Sequence, residues 1–314
     1  MATILISGGT GLIGTSISKL LLSKDYQVII LTRNLKKAIG KKSGDERLTY
    51  ARWNADEQSI DRDAIEKADC IIHLAGEGVA DKRWSSKRKK EIIQSRTQSG
   101  ALLIKALKET PNKIKTIVSA SAIGWYGPDD AAKNKPHGFV ESDPSDGSFL
   151  GETCKWWEES MQPVTDLGKR LVTFRFGVVL SNEGGALPEF KKPMQFGIAS
   201  ILGNGNQIIS WIHIDDLCRL LLLAIEDEKK EGIYNAVAPN PVTNKELILR
   251  LAKTMRGRSF IPLHVPSGVL KLMLGEMSIE VLKSTTVSAG KIQQTGFQFL
   301  YPSIDAALNN LIRK

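Results

Sequence analysis

Three glycines near the start of the chain are spaced to hold a phosphate. In "LISGGTGLIGTSISKLLL" an apolar run ends at Ser7, and Gly8, Gly11 and Gly14 follow in G-x-x-G-x-x-G spacing into a helical stretch from Leu12 to Leu22. Glycine at position 8 permits a tight turn, at 11 it lets backbone approach a pyrophosphate, and at 14 it lets helix pack on strand. The helix start adds unpaired N–H groups and the positive end of its dipole. Gly8, Thr10, Gly11, Leu12, Ile13 and Gly14 are therefore expected to form a dinucleotide-binding turn. The next apolar run, "QVIILT", leads to Arg33 with no acid beside it. An acid there would bind the ribose 2′-hydroxyl of NAD, whereas a guanidinium grips the 2′-phosphate of NADP. The pattern predicts NADP(H) in preference to NAD(H).

Such a turn needs a sheet behind it. "TILIS", "QVIILT", "CIIHLA" and "KTIVSAS" are short runs, apolar on both faces as buried parallel strands are. Helical stretches at Leu12–Leu22, Ser85–Lys108 and roughly Phe149–Leu167 separate them, and a further strand, "LVTFRFGVVL", is expected at Leu171–Leu180. This βαβ rhythm predicts an α/β fold with a Rossmann-like doubly wound parallel sheet. Beyond it, "NEGGALPEFKKPMQFGIASILGNGNQ" reads as loops with one short helix, "WIHIDDLCRLLLLAIED" as a strand end entering an apolar helix, and "PVTNKELILRLAKTM" as a helix capped by Thr243 or Asn244. The expected organisation is a nucleotide-binding domain over residues 1–180 and a smaller α/β substrate lobe over 181–314, partly interleaved with the first.

Composition narrows the class. With 314 residues, 42% hydrophobic and 25% charged, the chain suits an ordinary globular protein. It has no apolar run of the ~20 residues that span a bilayer and no signal-peptide pattern, so a cytoplasmic location and no membrane partner are expected. Cys70, Cys154 and Cys218 are far apart, and His73, His137, His213 and His264 are scattered, so no metal site is expected. The net charge of +9 concentrates in "DKRWSSKRKKEIIQSR", residues 81–96. That cluster reads as a solvated helix face or an anionic-substrate surface, and nucleic acid, lacking interleaved aromatics, comes last.

The segments "GGTGLIG", "HLAGEGVADKRW", "SASAIGWYG", "WWEE", "RFGVVLSNEGGAL", "SWIHIDDL", "NAVAPNPVTNKEL" and "TGFQFLYPSIDAAL" occur in order along the whole chain. Through them the sequence resembles an atypical extended short-chain dehydrogenase/reductase of the YfcH-like epimerase family protein group. The resemblance implies a Rossmann-like domain, a C-terminal substrate lobe and an NADP-type cofactor, and names no substrate. Standard members use a Tyr as acid or base and a Lys four residues on, one helical turn away. Superposing that pattern through Glu158 puts Leu150 at the Tyr position and Cys154 at the Lys position, with Lys155 one residue off. None of the 5 tyrosines is followed four residues later by a lysine.

What remains for chemistry is then Ser121, which resembles the serine that bonds the substrate oxygen, with Tyr126 as substitute acid and Glu77 as a possible base. Tyr126 reads equally as a packing residue and Glu77 as an ion-paired acid. Leu74, Ala75 and Gly76, and Phe176 and Gly177, are expected at strand ends beside the cofactor. Arg83, Trp84 and Lys90, with Ser95 and Arg96, match the branch's own pattern and suit an anionic or planar substrate. Trp211 and His213, with Asp215, are expected from the other lobe, either over the site or anchoring the lobe to the sheet. Two functions stay open: an NADP-dependent oxidoreductase or epimerase-like enzyme on a small anionic substrate, and a catalytically silent NADPH-binding regulator related to cell division.

Overall fold

Strands covered by helices on both sides have no face to give to water, so runs such as "TILIS" are apolar throughout. The computed structural model describes residues 1–40, 44–129 and 137–313 and gathers these runs into an eight-stranded sheet. Its first strands are β1 (Thr3–Ser7), β2 (Gln27–Thr32), β3 (Leu48–Asn54), β4 (Ser59–Ile60), β5 (Cys70–His73), β6 (Thr116–Ala122) and β7 (Arg170–Phe176). Four short strands follow, β8 (Val178–Leu180), β9 (Ile198–Leu202), β10 (Ile208–Ile209) and β11 (Trp211–His213), then β12 (Gly232–Ala236), β13 (Val242–Thr243) and β14 (Ile261–Val265). The sheet order is β12-β7-β6-β5-β1-β2-β3-β4, parallel except for β4. The chain winds outward from β1 to β3, returns, and winds the other way from β5. The crevice between the carboxyl ends of β1 and β5 is therefore the topological switch point, where such sheets bind ligands.

The helices are α1 (Leu12–Ser23), α2 (Leu35–Ile39), α3 (Arg62–Lys67), α4 (Ser86–Glu109), α5 (Phe149–Met161), α6 (Pro163–Asp166) and α7 (Ala186–Met194). After them come α8 (Ile214–Glu226), α9 (Asn244–Arg256), α10 (Ser267–Leu274), α11 (Ser278–Leu282), α12 (Gly290–Gln294) and α13 (Ile304–Arg313). Ile17, Leu21, Leu217 and Leu221 of α1 and α8 pack on Ile4, Ile6 and Val28 at one sheet face. Ala64, Ile65, Leu102 and Leu103 of α3 and α4 pack on Leu5, Ile29 and Leu31 at the other. A third core joins Leu187, Ile201, Trp211, Leu247, Leu251 and Leu308. None of the helices among the described residues is long and apolar enough to cross a membrane.

The structure departs from the sequence reading at definite places. "LVTFRFGVVL" is two strands, because Gly177 turns the chain out of the sheet. Its N–H donates to Ala236 O at 3.0 Å, and a Cβ there would lie 2.7 Å from Ser210 O. β8 then pairs with β11 in a sheet of its own. The stretch Phe149–Leu167 ends its first helix at Met161, and Pro163 opens α6. "LTYARWN" and "IASIL", not foreseen as strands, form β3 and β9. The main sheet also draws α8 and β12 from beyond residue 180. Cys70, Cys154 and Cys218 are buried and unpaired, and burial pushes their thiols up to about 12, 11 and 12.

At the switch point Ser7 and His73 face each other across β1 and β5. The Ser7 hydroxyl lies 2.7 Å from His73 Nδ1, and Ser99 of α4 lies 3.4 Å from Nε2. Burial pushes this imidazole down from its ordinary 6.5 to about 4. The unfolded chain accepts a proton in that window and the folded chain does not, so stability present above pH 6.5 is lost as pH falls towards 4. From about pH 6.5 to about pH 5 the loss from this one group is about 2 kcal/mol. Urea titrations of the natural chain should show that fall, and His73→Asn, which titrates no imidazole, should show it much reduced.

Candidate functional site

The glycine turn lies at the mouth of this crevice. Gly8 has φ +71°, and a Cβ on it would stand 2.7 Å from the Leu74 carbonyl, so β1 and the end of β5 close together only around glycine. A Cβ on Gly14 would stand 2.4 Å from Gly8 O. α1 is therefore drawn tight under the turn. Gly11 precedes α1 with no side-chain cap and no acid in the first turn, which leaves the helix's opening N–H groups and its dipole for an anion.

A cavity of about 530 Å³ runs from this turn along the ends of β2 and β5. Gly8, Thr10 and Gly11 line one part, Leu74, Ala75, Gly76 and Glu77 another, and Arg33, Asn34 and Lys37 the far end, over Ala38 and Trp53. An amide-rich pole, two cations and an apolar floor fit a dinucleotide. Leu12, Ile13 and Gly14 back the turn without lining the cavity: Leu12 meets the Gly184–Gly185 loop and Ile13 packs on the core. Phe176 likewise packs on the core, and Gly177 meets Ser210.

Glu77 is in the cavity wall and is paired. Its carboxylate takes Arg33 at 3.4 Å on one side and Arg88 at 3.4 Å on the other. Its N–H donates to Ser95 Oγ at 3.0 Å, and its carbonyl accepts from Arg96 Nη1 at 3.1 Å. The loop after β5 is thus fastened to α4 by three successive contacts from Arg88, Ser95 and Arg96.

Ser121 and Tyr126 stand on a different network. Arg175, at the end of β7 and 1% exposed, grips Glu158 with Nε to Oε1 at 2.8 Å and Nη2 to Oε2 at 2.9 Å. Ser121 donates to the same Oε1 at 2.7 Å. Arg175 Nη1 donates to the Tyr126 hydroxyl at 2.9 Å, which donates in turn to Asn235 Oδ1 at 2.7 Å. Tyr126 is fully buried, stacked on Phe139, and burial pushes its phenol up to about 12 against the opposing pull of Arg175. Both hydroxyls are engaged in the core, and neither residue lines the cavity. Leu150 and Cys154 lie against Gly124 instead: a Cβ on that glycine would stand 3.2 Å from Leu150 Cβ and 3.6 Å from Cys154 Sγ.

The basic segment before α4 forms a second surface. Trp84 meets Phe149 edge to face at 4.8 Å, and Lys89, not Lys90, sits over the Phe149 ring at 5.0 Å and pairs with Glu276. Lys90 is exposed on α4. Arg83 donates to Leu272 O at 3.1 Å, so this segment touches the α10 region of the C-terminal half. Trp211 is buried with its Nε1 donating to Asn240 O at 3.0 Å. His213 caps α8, its Nδ1 accepting from Asp215 N at 3.0 Å, and lines a separate cavity of about 430 Å³ with Lys19 and Asn182. The structure therefore brings together Gly8, Thr10, Gly11, Arg33, Leu74, Ala75, Gly76 and Glu77, and sets Trp211 and His213 elsewhere. Lys37 and Lys89 escaped the sequence reading, Lys37 because one cation at a strand end is enough to complete a motif. Among the described residues no three His, Cys, Asp or Glu side chains group as metal ligands.

Residues 4–146 match the model of the NAD dependent epimerase/dehydratase family, and residues 265–311 match a domain of unknown function, DUF1731. The chain is 37% identical over 316 residues to an epimerase family protein of Staphylococcus saprophyticus, covering 98% of each. Human epimerase family protein SDR39U1, solved with NADPH, superposes with a TM-score of 0.84 at 30% identity, covering 99% of both chains. A nucleoside-diphosphate sugar epimerase from Corynebacterium glutamicum superposes with a TM-score of 0.73 at 28% identity, over 99% of this chain and 58% of that one.

The engaged phenol makes a prediction about stability. Tyr126→Phe leaves Asn235 Oδ1 and one Arg175 N–H without a partner at a buried point, so urea unfolding should show a loss of about 1–3 kcal/mol.

Proposed function

This chain belongs to the NAD-dependent epimerase/dehydratase family, as an epimerase family protein of the atypical extended short-chain dehydrogenase/reductase kind, and from that premise we propose that it is an NADP(H)-dependent oxidoreductase acting on a small anionic substrate. The observation that carries the reading is the cavity at the switch point, with the uncapped start of α1 at one part and Arg33 and Lys37 at the other. The turn from Gly8 to Gly11 and the first N–H groups of α1 hold the pyrophosphate. Arg33 and Lys37 hold the 2′-phosphate, Arg33 leaving Glu77, an exchange that costs little because Arg33 is largely exposed and Glu77 keeps its pair with Arg88. The human relative solved with NADPH supports this cofactor.

Bound there, the cofactor supplies a hydride. The chain's own residues orient the partner: Trp84 and Phe149 offer an aromatic wall, and Arg83, bonded to the Leu272 carbonyl rather than to a carboxylate, gives positive charge that draws an anion. With Ser121 on Glu158 and Tyr126 on Asn235, the proton that accompanies the hydride comes from water. A positioned acid contributes typically ~10²–10⁴ in rate, so turnover is slow by the measure of standard members. We place the protein in the cytoplasm and assign the smaller lobe, from 181 to 314, to substrate. The second reading, an NADPH-binding regulator, is supported by one observation: Leu150 and Cys154 stand where superposition through Glu158 puts the Tyr and Lys of standard members.

Titration by nicotinamide fluorescence tests the cofactor. NADPH should bind more tightly than NADH, and Arg33→Ala should weaken NADPH about tenfold or more while moving NADH less than about twofold. Carbonyl compounds offered to the NADPH complex then separate the two readings: oxidation of NADPH supports the enzyme, and binding without any oxidation supports the regulator.

A further inference from the structure

The Lys of the standard pair is replaced at its own position by Cys154, yet a cation stands beside that thiol. Arg96 projects from α4, 8% exposed, and its charge is felt at Cys154. Its guanidinium carbon would lie 3.2 Å from a Cβ on Gly76, so it sits immediately behind a residue of the cavity wall. Ser95 and Ser99, its neighbours on α4, line the same cavity.

The group is held in place but not neutralised. Nη1 donates to Glu77 O at 3.1 Å and Ile92 O at 2.9 Å, and the Trp157 ring lies 4.7 Å from the guanidinium carbon. Among the described residues no carboxylate pairs with it: Glu77, close enough to be felt, makes its ion pairs with Arg33 and Arg88. Nε and Nη2 make no hydrogen bond to the described residues and are not wholly sealed from solvent, so the largely buried cation keeps donors that a ligand's oxygens can take. A buried charge without a counter-ion is costly, and two carbonyl dipoles offset it only in part. Such a group is stable where a ligand brings electron-rich oxygens to it.

We propose that Arg96 is the cation of this site, standing in from α4 for the Lys that α5 lacks and directing its charge at the nicotinamide half of the bound dinucleotide. The inference rests on the reading of the cavity as an NADP(H) site. It makes Arg96 a cofactor-binding residue, set by the Gly76–Glu77 backbone and the Trp157 ring, and leaves the 2′-phosphate end to Arg33 and Lys37.

Two ligands divide the site for the test. NADPH spans both halves, while 2′,5′-ADP occupies only the adenosine half. Arg96→Met should weaken NADPH about tenfold or more, the loss expected for a charged hydrogen bond, and leave 2′,5′-ADP within about twofold. Cys154→Lys in that background should recover most of the NADPH affinity, a rescue that a purely structural role for Arg96 would not allow. Should Arg96→Met fail to fold, Arg96→Gln, which keeps a donor for the two carbonyls, reads the same selective loss. Equal weakening of both ligands, or no weakening of either, overturns the proposal. Absence of NADPH binding by the unsubstituted protein overturns the cofactor reading itself, and that result is seen before any variant is compared.

Discussion

A guanidinium sealed inside a protein dictates what surrounds it, and Arg175 does so here. Its charge at the end of β7 requires a carboxylate, and Glu158 of α5 supplies one in bidentate geometry. Glu158 also accepts from Ser121 of β6, and the remaining donors of Arg175 reach Tyr126 in the turn after β6, the Glu141 carbonyl and, through Tyr126, Asn235 of β12. Trp125 covers the guanidinium face at 3.7 Å. Three neighbouring strands and α5 are thus tied at one point. Removing one partner of such a pair typically costs about 3–5 kcal/mol, because the other is left charged and dry.

That tie also decides where chemistry is available. α5 lies against the turn after β6, with Leu150 and Cys154 as the side chains nearest Gly124. The hydroxyls that the sequence offers nearby, Ser121 and Tyr126, are spent on the buried charge. Beside the end of β5, the polar groups that face the cavity are Glu77 and, from α4, Ser95 and Ser99.

The parts of this arrangement that were legible in the sequence are those imposed on single residues by local geometry. Gly8 needs a positive φ and Gly14 a bare Cα, so their spacing reveals the turn without any knowledge of the rest. Helices with clear caps, such as α9 behind Thr243, were equally plain. β3 was missed because "LTYARWN" lies towards the edge of the sheet and alternates buried and exposed residues, unlike the fully apolar strands beside it. Gly177 was hidden inside an apolar run, since what forbids a side chain there is a carbonyl 33 residues further along, at Ser210. The engagement of Ser121 by Glu158, 37 residues apart, is a fact of tertiary packing, and so is the exchange of Lys90 for Lys89 beside Trp84. Motifs name the residue types a site contains, and only the packed chain says which of them are still free to act.

The burial of the cysteines has a consequence for the molecule as a chemical object. Cys70 lies in the central sheet, Cys154 in α5 and Cys218 in α8, each with its thiol held protonated well above neutral pH. Since the thiolate is the reactive form, the closed protein is nearly inert to alkylation and oxidation. Reaction waits for each region to open, so three thiols in three elements keep three separate clocks. The order in which they are consumed would record which part of the molecule loosens first, and whether a nucleotide in the crevice slows all three or only the one in α5.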